Sequence, residues 1–273
     1  MVPLIDSHCH LDCLDLKPLG GRFEAFMEQA REEGLVHMLC VAINPDRYPK
    51  MRALVDPYPE EISVTVGCHP NDFRGVYVSP ERLLEQARGD ERVVAIGETG
   101  LDYYRSQGDL EWQRQRFRDH IAVARELKLP LVIHCRQAKE DVLRILREEK
   151  AAEVGGVFHC FAEDWETAKA VLDLGFYISF SGIVTFKNAE TLREVARKVP
   201  EDRFLIETDS PYLAPVPMRG KPNYPYYVRF TAEKLAELRR TTLERVGECA
   251  LNNFHALFSR TRRLSPESST ATA

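Results

Sequence analysis

The sequence is short of the features that tie a chain to a membrane, a secretory route or a coat of nucleic acid. No apolar run approaches the roughly 20 residues that a bilayer span requires. The opening run Val2-Pro3-Leu4-Ile5 is strand-like, with no basic segment and no cleavage site. No signal peptide is therefore expected, and the expected location is cytoplasmic. The seven cysteines are scattered and odd in number. A secreted disulfide framework is denser and usually even, whereas reduced thiols suit a cytosolic enzyme. An excess of positive charge is also lacking: the formal net charge is −5, which argues against a broad basic face wrapped in nucleic acid. A small metal-centred phosphate site stays compatible with that charge. No glycine-rich turn follows the first strand-like run, where an open dinucleotide-binding fold would carry one; Asp6-Ser7-His8-Cys9-His10 stands there instead. Neither a repeat of fixed sequence nor a domain-splitting linker is visible, and no obligate protein partner is evident.

What is present is an alternation. Apolar residues make up 44% of the 273 residues, enough for a sizeable core. Short β-branched runs ending in polar residues predict strands over 4–10, 37–43, 62–69, 93–98, 131–134, 157–161, 176–181 and 203–209. Stretches of helical period predict helices over 23–33, 80–88, 110–127, 139–149, 166–174 and 189–198, with two more reaching about Phe258. Ser79-Pro80-Glu81 has the order of an N-cap, a first-turn proline and a first-turn acid. Gly34 and Gly175 stand where helix-ending glycines are expected. Strand–helix alternation implies a parallel sheet, and eight units favour closure into a (β/α)8 TIM barrel, for which roughly 250 residues is typical. The expected layout is one barrel over residues 1–260 and a disordered C-terminal tail over 261–273.

The ends of these strands carry the chemistry. His8 and His10 share a face of strand one, because strand side chains alternate. Strand three ends in His69, strand four in Glu98, strand five in His134, strand six in His159 and strand eight in Asp209. In a barrel these ends meet in one mouth. By the same parity Cys9, Cys68, Cys135 and Cys160 should point outward. Imidazole with carboxylate suits Zn, Mn, Fe or Ni, with Mg at a carboxylate-rich position. Four histidines exceed what one cation with an open position needs, so two divalent ions sharing Glu98 are expected. Asp209 is the expected proton acceptor.

These residues carry a resemblance. Asp6-Ser7-His8-Cys9-His10-Leu11-Asp12, Gly67-Cys68-His69-Pro70, Gly97-Glu98-Thr99-Gly100-Leu101-Asp102, His134-Cys135-Arg136, His159-Cys160-Phe161, Glu207-Thr208-Asp209-Ser210-Pro211-Tyr212 and Arg219-Gly220-Lys221-Pro222-Asn223 resemble the motifs of the TatD family of metal-dependent deoxyribonucleases, nearest its YcfH-type branch. The resemblance implies an amidohydrolase-like barrel and hydrolysis of DNA phosphodiesters. By position it implies one metal at His8, His10, Glu98 and Asp209, and another at Glu98, His134 and His159. Glu207, on the face of Asp209 but deeper, is expected behind the metals or at a third. His69 is expected to take phosphate or an extra cation. Arg136, Arg219 and Lys221 are candidate phosphate contacts, and Tyr212 is a candidate stacking surface with Tyr103, Tyr104, Tyr224, Tyr226 and Tyr227. The expected partner is DNA, as a single strand or strand end. A rival reading, an amidohydrolase for a cyclic amide, lactone or phosphoester, often uses a modified lysine on strand four, and residues 93–104 contain none. A barrel kept only for binding is the remaining alternative.

Overall fold

The structure is a computed structural model that describes residues 1–72 and 76–261. The tail expected over 261–273 falls, from residue 262, outside the described residues. Eight parallel strands follow one another in chain order: β1 (Leu4–Cys9), β2 (Leu35–Cys40), β3 (Ile62–Val66), β4 (Val93–Asp102), β5 (Leu131–Arg136), β6 (Gly156–Phe158), β7 (Tyr177–Phe180) and β8 (Phe204–Ile206). The ring closes where Cys9 bridges Ser210 in parallel register. Backbone bonds from Asp209 N to His8 O (2.9 Å) and from His10 N to Ser210 O (2.8 Å) tie the last strand to the first. Outside lie α1 (Phe23–Glu32), α2 (Tyr48–Val55), α3 (Pro80–Arg88), α4 (Glu111–Leu127), α5 (Lys139–Glu148), α6 (Trp165–Asp173), α7 (Glu190–Lys198), α8 (Val228–Arg239) and α9 (Leu243–Leu257). Among the described residues no helix is long and apolar enough to cross a membrane.

The helices begin where side chains satisfy their free N–H groups. The Ser79 hydroxyl accepts from Arg82 N ahead of α3, and the Asp164 carboxylate accepts from Thr167 N ahead of α6. Gly34 and Gly175 follow α1 and α6 with φ of 83° and 79°. Buried aromatics such as Phe26, Phe117, Phe176 and Phe254 fill the layer between strands and helices. Inside the ring the packing is more polar: Ser7 and Ser179 hydroxyls lie 3.1 Å apart, and Asp6 accepts from both Thr208 N and His8 N. That carboxylate clamps the chain after β8 against β1.

The structure differs from the sequence expectation chiefly at the strand ends. The strands expected to reach His10, His69, His159 and Asp209 stop before them, whereas β4 runs on past Glu98 to Asp102. Cys160 and Asp209 have φ of 45° and 56°, left-handed values that curl the chain out of the ladder. Parity then fails at Cys160, which lines the mouth instead of facing the helices, with Sγ 3.3 Å from Ser181 Oγ; Cys135 also reaches the lining. Cys9 and Cys68 are buried as expected. Helix α2 escaped the sequence reading because it is two turns long and carries Pro49 near its start.

Candidate metal centre

The strand ends deliver their polar side chains to one point. Glu98, projecting from β4, lies at its middle and is almost wholly buried. Its Oε1 lies 3.0 Å from His134 Nδ1 and 2.8 Å from His159 Nε2. Its Oε2 faces the other way, 3.5 Å from His8 Nε2 and 3.8 Å from His10 Nε2. One carboxylate thus divides its two oxygens between two histidine pairs. Gly100, next on the same face of β4, has φ 137°, and a Cβ there would overlap the His134 carbonyl, so this close approach of β4 to β5 requires glycine.

The first pair is completed by Asp209 Oδ1, 3.4 Å from His10 Nε2 and 3.8 Å from His8 Nε2, while the two Nε2 atoms are themselves 3.4 Å apart. Donors bound at ~2.1 Å around a tetrahedral cation lie ~3.4 Å from one another, so the spacing fits a divalent metal. The proton positions fit as well. His10 Nδ1 lies 2.9 Å from the Val41 carbonyl, an acceptor only, so the ring proton sits on Nδ1 and the Nε2 lone pair points into the cluster. His134 Nε2 lies 3.0 Å from Asp102 Oδ2, which places the proton on that side and the Nδ1 lone pair toward Glu98. His159 Nδ1 lies 3.3 Å from Glu207 Oε1, leaving Nε2 free.

Electrostatics describe the same hunger for positive charge. Burial works to raise the Glu98 carboxyl, yet His159, His69 and His134 hold it well below the usual carboxylate range. Burial likewise opposes charge on His10, but Asp209 outweighs it and raises the imidazole to about 9. His159 is raised against its own burial by Glu98 and Glu207. The buried carboxylates thus favour positive charge at this point, which a bound divalent cation would supply.

Residues 5–259 match the family described as TatD related DNase. The chain belongs to this family. It is 48% identical to YcfH of Escherichia coli K12, a metal-dependent hydrolase, over 93% of this chain and 95% of YcfH. It is 38% identical to the metal-dependent hydrolase YabD of Bacillus subtilis over 93% of this chain and 98% of YabD. Among solved structures, the TatD homolog YJJV of E. coli K12 superposes with a TM-score of 0.86 at 28% identity, covering 94% of this chain and 98% of that one. The fold extends to the organophosphorus hydrolase of Deinococcus radiodurans, with a TM-score of 0.63 at 16% identity over 94% and 93% of the two chains. Metal-dependent hydrolysis is thus the activity of the family to which the chain belongs.

Above the cluster opens a cavity of about 630 Å³. His10, His69, Glu98, His134, His159 and Asp209 face it, and Asn71, Arg105, Arg136 and Tyr212 stand around them. His8 lies beneath, with no exposed surface. His69 Nδ1 accepts from Asn71 N (3.0 Å), so the neutral ring carries its proton on Nε2, 3.4 Å from Glu98 Oε1. Burial pushes this imidazole down to about 3, so it is neutral. That tautomer suits donation to a phosphate oxygen. The donor atoms of His69, Glu98 and His134 also lie within 4.8 Å of one another, the spacing an extra cation would need.

Several candidates land elsewhere. Arg219 lies 4.1 Å over the Phe186 ring and reaches the Ala214 carbonyl, Lys221 is exposed, and neither lines the cavity. Their motif serves the site through Asn223, whose Nδ2 donates to the Thr208 and Tyr212 carbonyls and anchors the loop bearing Asp209. Tyr224 and Tyr226 are buried and stacked on each other, with centroids 5.2 Å apart. Tyr227 packs on both, and the Tyr103 hydroxyl donates to Asp141. These four are packing residues. Tyr212 and Tyr104 remain exposed, the latter under the Arg136 guanidinium at 4.0 Å. Sequence reasoning missed Asp102, Asn71 and Arg105. For Asp102 a signal existed: with Glu98 and Gly100 it follows the two-residue period of one strand face. Arg105 lies in the loop after β4, where no period applies.

Proposed function

We propose that the chain is a two-metal deoxyribonuclease that hydrolyses phosphodiester bonds from single-stranded ends. The observation that carries the reading is the division of the Glu98 oxygens between two histidine pairs, at the floor of a pit whose walls hold two arginines. Among the described residues neither the Arg105 nor the Arg136 guanidinium has a carboxylate partner, whereas most arginines of the chain do. Unpaired guanidinium groups beside a buried acidic cluster suit an anionic ligand with planar oxygens.

His8, His10, Glu98 and Asp209 would hold one divalent ion, and Glu98, His134 and His159 the other, drawn from Zn, Mn, Mg, Ni or Fe. Bound there, the ions would supply Lewis acidity to the phosphoryl oxygen and lower the pKa of a nearby water from ~16 toward ~7. The chain's own residues do the rest. Arg105 and Arg136 hold phosphate oxygens and set the register of the strand. His69 donates its Nε2 proton to a non-bridging oxygen. Tyr212 offers a face to a terminal base. Asp209, which burial would raise but which His10 and its neighbouring histidines keep ionised, accepts a proton as water adds to phosphorus and returns it to the sugar oxygen that leaves as the ester P–O bond breaks. The pit admits an end more readily than an internal duplex site.

The test incubates metal-loaded protein with labelled single- and double-stranded DNA, RNA, amides and phosphotriesters. Mononucleotide release from single-stranded DNA ends is the expected result. Turnover of an amide or triester with no release from DNA would overturn the reading.

A further inference from the structure

Behind the metal-facing atoms, two buried polar atoms find no protein partner among the described residues: His8 Nδ1 and Glu207 Oε2. Both side chains have no exposed surface, and a sealed polar atom left without a hydrogen bond is costly. The two are complementary. His8 turns Nε2 toward His10, Glu98 and Asp209, so with Nε2 as the ligand atom the ring proton must sit on Nδ1, a donor. The Glu207 carboxylate is an acceptor only. A ring nitrogen of His8, one of His159 and a carboxylate oxygen of Glu207 lie within 4.8 Å of one another. A water that accepts from His8 Nδ1 and donates to Glu207 Oε2, with two ordinary hydrogen bonds of ~2.8 Å, would satisfy both atoms. The His8 and His159 rings are stacked, centroids 3.8 Å apart and planes 13° from parallel, although one belongs to each histidine pair.

We infer that Glu207 is the positioning residue for both metal pockets at once: Oε1 fixes the His159 proton on Nδ1 directly, and Oε2 fixes the His8 proton on Nδ1 through one buried water. The inference rests on the two-metal reading of the donor set. A third cation among His8, His159 and Glu207 suits the geometry less well. It would strip the Nδ1 protons from two rings whose Nε2 atoms already face the outer pockets. Glu207 Oε1 also already accepts from Cys160 N at 2.8 Å as well as from His159.

The arrangement makes an asymmetric prediction for Glu207→Gln. The carboxamide oxygen stays with its two donors, Cys160 N and His159 Nδ1. The amide NH₂ then replaces Oε2 and donates to the bridging water, whose own hydrogens are left with His8 Nδ1 as their acceptor; that favours the His8 proton on Nε2, where it occupies the ligand position. The pocket of His8 and His10, which Glu207 reaches only through the water, should lose about 10–100-fold in zinc affinity, while that of His134 and His159 keeps its affinity. Calorimetric titration of the apo-protein with zinc reads the two affinities. Anomalous density in crystals grown at limiting zinc identifies the pocket that empties. A mere packing defect would weaken both pockets together, and that result overturns the inference, as does an unchanged variant or loss confined to His134 and His159. A wild type that takes up a single equivalent overturns the two-metal reading itself. A high-resolution structure of the zinc-loaded wild type gives an independent check that needs no variant. It should show a water within hydrogen-bonding reach of both His8 Nδ1 and Glu207 Oε2, and its absence overturns the inference.

Discussion

The buried histidines of this chain fall into two groups that burial alone does not separate. His37, beneath α9, and His120, on α4, are as enclosed as His10 or His159 at the mouth. His37 spends its nitrogens on the Glu60 carbonyl and the Ser63 hydroxyl, and His120 spends its own on the Arg116 carbonyl and the Cys68 N–H. Each is thereby neutral and satisfied, and burial pushes both down to about 4. At the mouth, by contrast, one nitrogen of His10, His134 and His159 is used to orient the ring while the other faces Glu98 or Asp209. A buried histidine is structural when both nitrogens are spent on neutral groups, and available for chemistry when one is spent on orientation and the other faces a shared carboxylate.

The sharpest way to break this comparison is at the acid opposite His10. Asp209→Asn keeps the shape and an oxygen for metal but removes the proposed proton acceptor. Turnover of the metal-loaded variant on labelled single-stranded DNA should fall by ~10²–10⁴-fold, with partial metal retention. Near-normal turnover would remove Asp209 from that role.

Glu98 sharpens the comparison next. If its two oxygens serve two pockets, Glu98→Ala should deplete both metals, whereas His134→Ala should empty mainly one. Elemental analysis of the purified variants reads this directly, and a Glu98→Ala protein holding both ions at full occupancy would end the shared-ligand reading.

The structural histidines make a prediction of their own about pH. The unfolded chain takes up a proton at His37 near pH 6.5, but the folded chain does not until about pH 4. The unfolded state therefore binds more protons in between, and stability present above pH 6.5 is lost as the pH falls toward 4, by up to about 3 kcal/mol for this residue. His120 behaves in the same way. His37→Gln should flatten the loss of urea midpoint between pH 7 and pH 5. An unchanged pH slope would show that His37 is not held neutral.

Much of the fold was legible because period and punctuation agreed along the chain. Ser79-Pro80 and Gly175 mark helix limits within a residue or so of where they lie. The six metal-ligand candidates were legible because a barrel carries strand ends to one mouth whatever the loops do. What escaped depends on local backbone geometry or on loops. Cys160 breaks strand parity through a left-handed φ that no alternation pattern contains. Arg219 and Lys221 share a loop with Asn223, and sequence proximity to a motif does not say which member faces the cavity. Arg105 enters only because Asp102 Oδ1 accepts from its backbone N at 2.8 Å and holds the turn after β4.

That last substitution of one arginine for others yields the smallest effect and the finest discrimination. A net charge of −5 argues against a wide basic face for a polyanion, so under the proposed function the attraction to DNA should be local. Each phosphate neutralised on a single strand contributes roughly −0.7 to the slope of log affinity against log salt. With two wall arginines and the metals, the slope should match about two to four contacts. Arg105→Ala with Arg136→Ala should weaken binding and flatten the slope by the equivalent of roughly two contacts, leaving the metals in place because neither guanidinium reaches a ligand histidine. Arg219→Ala with Lys221→Ala should change the slope by less than one contact, since both side chains lie outside the cavity. The measurement is binding of a short single strand across a salt series, in metal-loaded protein made inactive by Asp209→Asn. If the Arg219 and Lys221 pair moves the slope and the Arg105 and Arg136 pair does not, the strand approaches over the proline-rich loop after β8 rather than the wall after β4. The two sides of the mouth would then exchange roles.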